Sequence, residues 1–271
     1  MKNLIRILAL SSVVLLFGFS CSSQEKTTED TAQPKPKPTP AAVKYPGYEI
    51  VEVLPHDSTL FTQGLLFHDG QLYESGGMRG QSRLVSYTPG GEIQQSKQMG
   101  RSIFSEGIAL LNGKIYMLTY TSGKCLVFDQ KTFELVEEYG YLGQGWGIET
   151  DGEKLYMTDG SSVIKVINPT NFSIESTISV KINGNKLEYL NELEYIEGYL
   201  FANVWQRAEI VKIDIKTGNV VAAYNMSELI ERVIYNPAID LLNGIAYDKS
   251  EDVFYLTGKL WPKLFKVKLG S

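Results

Sequence analysis

From Tyr45 onward the chain repeats one short pattern of apolar and polar positions five times. The copies are QGLLFHDGQLY from Gln63, EGIALLNGKIY from Glu106, WGIETDGEKLY from Trp146, NELEYIEGYLF from Asn191 and NGIAYDKSEDVFY from Asn243. In the first four, the second residue and the closing aromatic are nine positions apart; the fifth carries a two-residue insertion. The copies start 43, 40, 45 and 52 residues apart, the period of units that each supply one small sheet around an axis. A second strand follows each closing aromatic. The alternating segments RLVSY, KCLVF, VIKVI, EIVKI and KLFKV then predict a third strand per copy. Turn residues come next, as in DQKT from Asp129, NPTN from Asn168 and DIKTG from Asp214, and a fourth strand such as FELVEEY from Phe133. Copy five has no fourth strand before Ser271, whereas YEIVEV over Tyr48 to Val53 resembles FELVEEY. That segment is expected to complete the last sheet and remove its open edge. The expected fold is all-β, a five-bladed propeller closed by an N-terminal strand. One helix is expected, over Ser227 to Val233: it starts at a capping-type Ser, shows apolar Leu229, Ile230 and Val233, and is stopped by Pro237.

Composition agrees with many short strands joined by turns: among 271 residues, 43% are hydrophobic, with 25 Gly, 16 Tyr and 11 Phe but only 2 Cys and 2 His. A disulfide scaffold and a His-rich metal site are both disfavoured. The net charge of -5 and the lack of a basic stripe argue against nucleic acid. Ahead of the repeats, residues 1–20 read as an export signal, with Lys2 and Arg6 before an apolar core from Ile7 to Phe19 that is short for a membrane span. Cys21 stands directly after it, as in bacterial lipoprotein signals, where that thiol carries the lipid. Residues 21–44 are polar and Pro/Lys-rich and read as an extended tether; residues 45–271 form the propeller. The expected protein is exported and membrane-bound through its lipid alone, on the periplasmic side of the inner or outer membrane or at the cell surface. It is expected to be a monomer. Cys125, within CLVF, reads as a small buried hydrophobe.

In a propeller, equivalent positions of different blades converge on the axis, so the repeat says where to look for chemistry. The residues opening the innermost strands form one column: Gln63, Glu106, Trp146, Asn191 and Asn243. Four positions after each closing aromatic lies a second: Gly77, Tyr120, Gly160, Trp205 and Lys259. One mouth of the ring would then hold a carboxylate, an ammonium, several amides and three aromatics. Such a set suits a small amino-bearing substrate, with Glu106 moving protons and Lys259 or Asn191 holding an oxyanion. Equally compatible is mutual neutralisation of Glu106 and Lys259 across a merely structural channel.

The segments PHDSTLFTQGL, ESGGMRGQSRL, FSEGIAL, GWGIETDG, NELEYIEGYLFANVWQ, and LNGIAYD followed by LTGKLWPKLFKV resemble the plant and bacterial type of glutaminyl cyclase, over nearly all of the chain after Lys44. The resemblance implies a five-bladed propeller that converts the N-terminal glutamine of peptides to pyroglutamate and releases ammonia, without metal or cofactor. By motif it implicates Phe61 and Gln63 of FTQGL, Phe104 and Glu106 of FSEG, Trp146 of GWG, Asn191 of NELEY, Trp205 of NVWQ and Lys259 of TGKLWP. Glu106 would be the acid/base. Tyr120 stands where the family pattern has Trp.

Other signals lead elsewhere. The Gly-rich run around Gly140 to Gly147 leads into a strand and not a helix, so it is not a dinucleotide loop. His56 and His68 are not spaced as a metal pair, and each reads as a hydrogen-bonding residue. Asn171 opens an Asn-Phe-Ser acceptor pattern and reads as a turn. Two rival functions belong to other classes: a calcium-dependent, lactonase-like hydrolase using Glu106, Asn191 and Asn203, and a non-catalytic module capturing peptide ends.

Overall fold

The computed structural model describes Gly18, residues 42–233 and residues 239–271. The export segment, Cys21, most of the tether and Pro237 lie outside the described residues. From Tyr48 to Leu269 the chain builds five four-stranded antiparallel sheets. Blade one comprises Thr62–His68, Gln71–Gly76, Arg83–Tyr87 and Ile93–Gln98; blade two Ser105–Leu111, Lys114–Thr119, Lys124–Asp129 and Leu135–Gly140. Blade three comprises Ile148–Thr150, Leu155–Met157, Val163–Ile167 and Ile174–Ser179; blade four Leu190–Ile196, Tyr199–Val204, Glu209–Asp214 and Val220–Asn225. Blade five takes Leu242–Asp248, Val253–Gly258 and Lys263–Leu269 from the end of the chain and Tyr48–Pro55 from its beginning. That outer strand runs antiparallel to Lys263–Leu269, from Tyr48 opposite Leu269 to Pro55 opposite Lys263. The closure read from YEIVEV holds.

Each sheet shows apolar side chains on both faces, and each face packs on the neighbouring blade. Five buried clusters result, one per blade interface, such as Leu66, Tyr73 and Leu84 of blade one with Ile108, Ile115 and Met117 of blade two. Cys125 is fully buried in one of them with a free thiol. The closing aromatics sit inside the second strands and not before them as the repeat suggested: Tyr73, for instance, belongs to Gln71–Gly76. There they face the core, which is why the position is always aromatic.

The innermost strands touch in ring order, and the second residue of each repeat sits where two of them come closest. A Cβ on Gly107 would meet Gly147 Cα at 2.7 Å, and one on Gly147 would meet the Asn191 carbonyl oxygen at 2.1 Å. Glycine at this position therefore allows the backbones to converge. Blade four has Glu192 there instead. Its carboxylate, 1% exposed, accepts the backbone N–H of Leu65 in blade one at 3.1 Å and that of Ile245 in blade five at 2.8 Å. Both N–H groups lie beside irregularities in their ladders, so one side chain joins three blades.

Two further carboxyls, buried Glu149 and half-buried Glu194, lie near Glu192 and share its field. Burial pushes the Glu149 carboxyl up to about 8, opposed only by the Thr150 N–H. A free chain titrates Glu at about 4.3. The folded state therefore binds this proton more tightly, and the stability it contributes is full below about pH 4 and lost as pH rises through about 8. Subtracting the melting-temperature profile of Glu149→Gln from that of wild type is expected to leave a curve that falls across this window. A flat difference would remove Glu149 from the account.

The helix is shorter than expected, spanning Ser227–Glu231. Ser227 is not its cap: Asn225 Oδ1 accepts both the Ser227 N–H and its hydroxyl, and the Val233 N–H bonds Ile230, tightening the last turn. Leu229 and Val233 pack with Trp261 and Phe265 between blades four and five. A two-stranded hairpin, Lys181–Ile182 with Asn185–Lys186, was not expected. Asn183 and Gly184 turn it, both at positive φ.

Candidate active site

All nine site residues named from the sequence within the described chain line one open cavity, together with Asp240. Chain direction explains the convergence. Phe61 and Phe104 immediately precede innermost strands, Gln63, Glu106 and Asn191 lie at their starts, and Trp146 stands two residues ahead of Ile148–Thr150. Tyr120, Trp205 and Lys259 are each the first residue after a second strand. A hairpin returns its second strand to the end where the first began, so both columns share one mouth. Backbone bonds fasten entry to exit in blades one, two, four and five: Gly77 N–H to Phe61 C=O, Tyr120 N–H to Phe104 C=O, Trp205 N–H to Tyr189 C=O and Lys259 N–H to Leu241 C=O, at 2.7 to 3.0 Å.

Aromatic rings wall the cavity on two sides. Phe61 meets Phe104 edge-on at 6.1 Å, and Phe104 meets Tyr120 at 5.7 Å. Opposite, Trp146 meets Trp205 edge-on at 5.7 Å, and Tyr189, half-exposed, extends this wall beyond Trp205. The two glycines of the second column make room for these rings. A Cβ on Gly77 would meet the Phe104 ring at 2.6 Å, and one on Gly160 would meet Trp146 at 2.7 Å. Trp146 is further held by its indole N–H, which donates to Gln144 Oε1 at 2.9 Å.

Two charged side chains face the cavity from deep positions, Glu106 at 3% and Lys259 at 5% exposure. Burial pushes the Glu106 carboxyl well up from its usual range, against the pull of the Lys259 ammonium. Burial likewise lowers Lys259, against the attraction of Glu106 and then Asp240. The ammonium lies over the Phe61 ring, 4.9 Å from its centroid, a position that favours a cation. Asn191 is 4% exposed, and its Oδ1 has no protein partner. Asn243, the fifth member of the first column, does not line the cavity: its Nδ2–H donates to the Thr62 carbonyl at 3.1 Å. Asn203 is also elsewhere, with its Oδ1 accepting the Gly244 N–H at 3.0 Å. The Glu106–Asn191–Asn203 set of the lactonase-like reading therefore does not assemble.

The sequence matches the model of the glutamine cyclotransferase family over residues 14–269. It is 35% identical over 227 residues to a glutaminyl-peptide cyclotransferase of Arabidopsis thaliana, covering 82% of this chain and 71% of the relative. The chain belongs to the glutamine cyclotransferase family. Its fold superposes on the crystal structure of Myxococcus xanthus glutaminyl cyclase with a TM-score of 0.79 at 33% identity, covering 84% of this chain and 98% of that one.

Sequence reasoning missed three contributors to this family member's cavity. Asp240 lies outside the repeat and enters because its N–H donates to the Lys259 carbonyl at 2.9 Å. Ser75 donates its hydroxyl to the Glu106 carbonyl, and Thr158 donates to the Asn191 carbonyl at 2.8 Å. Each stands two residues after a closing aromatic and fixes the backbone of a site residue in the next blade. A small polar residue recurring at that offset was the available signal.

Proposed function

We propose that this protein cyclises the N-terminal glutamine of peptides to pyroglutamate with release of ammonia. One observation carries the reading: a buried carboxyl, Glu106, faces the same aromatic-walled cavity as a buried ammonium, Lys259. The reaction is an intramolecular aminolysis. The substrate α-amine attacks its own side-chain carboxamide carbon, the C–N bond to the amide nitrogen breaks, and one proton moves from the attacking to the departing nitrogen. Glu106 serves both transfers, accepting from the amine and donating to the leaving group. Lys259 or Asn191 stabilises the oxyanion, and the unpaired Asn191 Oδ1 is free to hold the carboxamide NH₂. The aromatic walls fold the side chain back toward its own amine, which supplies the proximity term. A peptide α-amine titrates at about 7.7 to 8.0, so roughly a tenth of the substrate is already nucleophilic at pH 7 and about half near pH 8. Neither metal nor cofactor is called for.

Ammonia release from a Gln-initiated dipeptide tests the reading. The N-acetylated peptide, which has no free amine, is expected to be inert, and chelator to be without effect. Binding without turnover would point to the peptide-capturing module instead.

We propose further that residues 1–20 direct export and that Cys21 carries a lipid, leaving the propeller monomeric and tethered by residues 21–44. No helix of the described residues is long and apolar enough to cross a membrane. Cys21→Ser is expected to move the protein from the membrane to the soluble fraction; wild type already found in the soluble fraction would sink the anchor.

A further inference from the structure

Behind the cavity wall lies a polar cluster that the mechanism does not use. The His56 and Glu74 side chains are fully buried, with Nε2 2.9 Å from Glu74 Oε2. Glu74 also accepts the Tyr87 hydroxyl at Oε2 and the Thr62 hydroxyl at Oε1, each at 2.7 Å. His56 Nδ1 lies 2.7 Å from the Trp261 carbonyl oxygen, which only accepts. Both ring nitrogens thus face oxygen atoms that can accept, an arrangement that favours the doubly protonated cation. Burial alone would lower its pKa; the Glu74 carboxylate, the Trp261 carbonyl and the more distant Asp57 outweigh burial and hold it above its ordinary value.

Trp261 belongs to the turn that carries Lys259. Leu260 is left-handed at φ 62° and donates its N–H to Leu60 C=O at 2.8 Å. The indole lies against Gly258, where a Cβ would come within 2.3 Å of the ring, and its N–H donates to Asp240 C=O at 2.9 Å. On the other side of the cluster, Thr62 sits between Phe61 and Gln63, and its hydroxyl also lies 3.2 Å from the Gly258 carbonyl. One buried His–Glu pair therefore grips both the turn bearing Lys259 and the start of the strand that holds Gln63 and follows Phe61.

We propose that His56 and Glu74 are positioning residues that seat the Lys259 turn, through the Trp261 carbonyl, against the Phe61–Gln63 strand and so place the ammonium over Phe61. Its kinetic consequence rests on the cyclase reading; its structural consequence does not. Two substitutions separate positioning from plain stability. In His56→Asn the amide nitrogen falls near the place of Nδ1 and keeps the bond to Trp261, whereas in His56→Gln it falls near Nε2 and keeps Glu74 instead. Both break the ion pair, and both are expected to lower the melting temperature. His56→Asn is expected to stay within about threefold of wild-type kcat, and His56→Gln to lose about tenfold or more with KM nearly unchanged, as for loss of alignment in the transition state.

A readout independent of turnover accompanies this. With lysines dimethylated using ¹³C-formaldehyde, the Lys259 methyl resonance, assigned with Lys259→Arg, should show the ring-current shift of Phe61 in wild type and His56→Asn and lose it in His56→Gln. Equal kcat and equal shifts in the two variants would overturn the proposal. An inactive wild type would sink the cyclase reading, while the shifts would still decide the positioning. Should His56→Gln not fold, Thr62→Val and Tyr87→Phe replace the pair. Each removes one hydroxyl from Glu74, but only Thr62 ties to the site strand, so only Thr62→Val should move the Lys259 signal; identical spectra would overturn the proposal.

Discussion

Glu106→Gln is expected to lower kcat by about 10³-fold, within the range of general acid/base catalysis, with KM and melting temperature close to wild type. Gln keeps the volume of the side chain it replaces, which is 3% exposed, and the backbone beneath that side chain is pinned by the Ser75 hydroxyl. Burial makes the native carboxylate costly to hold charged, so a neutral amide disturbs folding little. What disappears is the exchangeable proton. An amide neither takes a proton from the attacking amine nor returns one to the departing nitrogen, and water reaches this buried position poorly. Steady-state kinetics on a Gln-initiated peptide with a thermal melt read both quantities. A variant that melts like wild type and turns over within tenfold of it would show that Glu106 is not the proton carrier.

The largest effect on stability is expected at Glu192, which no mechanism needs. Glu192→Ala leaves two buried backbone N–H groups without acceptors, each worth about 1–3 kcal/mol, and opens a cavity at the axis. A loss of roughly 4–6 kcal/mol follows, a large share of the about 5–15 kcal/mol that folded domains possess. Glycine serves at the equivalent place in blades one to three because neighbouring backbone fills the space there, and in blade five Gly244 holds a φ of 120°. In blade four the carboxylate fills it, so a small residue would leave both a void and unpaired donors. Glu192→Gln, which keeps one acceptor oxygen, should lose about half as much. Urea denaturation measures the three proteins, and Glu192→Ala within about 1 kcal/mol of wild type would contradict the assigned role.

Much of this molecule was readable in its sequence because a repeat converts one-dimensional spacing into three-dimensional symmetry. The columns headed by Gln63 and Gly77 brought together Glu106, Trp146, Asn191, Tyr120, Trp205 and Lys259 without any contact information, since each hairpin returns its chain to the same mouth. Where the symmetry breaks, reading stopped. Asp240 enters from outside the repeat, just ahead of the innermost strand of blade five. Asn243 obeys the column yet turns its amide to Thr62, a choice of rotamer that spacing does not encode. Glu192 was visible as the one departure from glycine, but only the carbonyls and N–H groups around it explain the exception. The Asn183-Gly184 hairpin carries a strong turn signal but lies between repeats, outside the pattern that defines the blades. Ser227 looked like a cap, and the shorter-range Asn225 amide displaced it.

The most direct test of the central claim is the mass of a Gln-initiated dipeptide followed over time with the full chain, in the presence of chelator, beside Glu106→Gln. Loss of one ammonia per peptide, at a rate untouched by chelator and abolished by the substitution, is the expected result. A peptide that stays intact with wild type, or is cyclised equally by the variant, would contradict it.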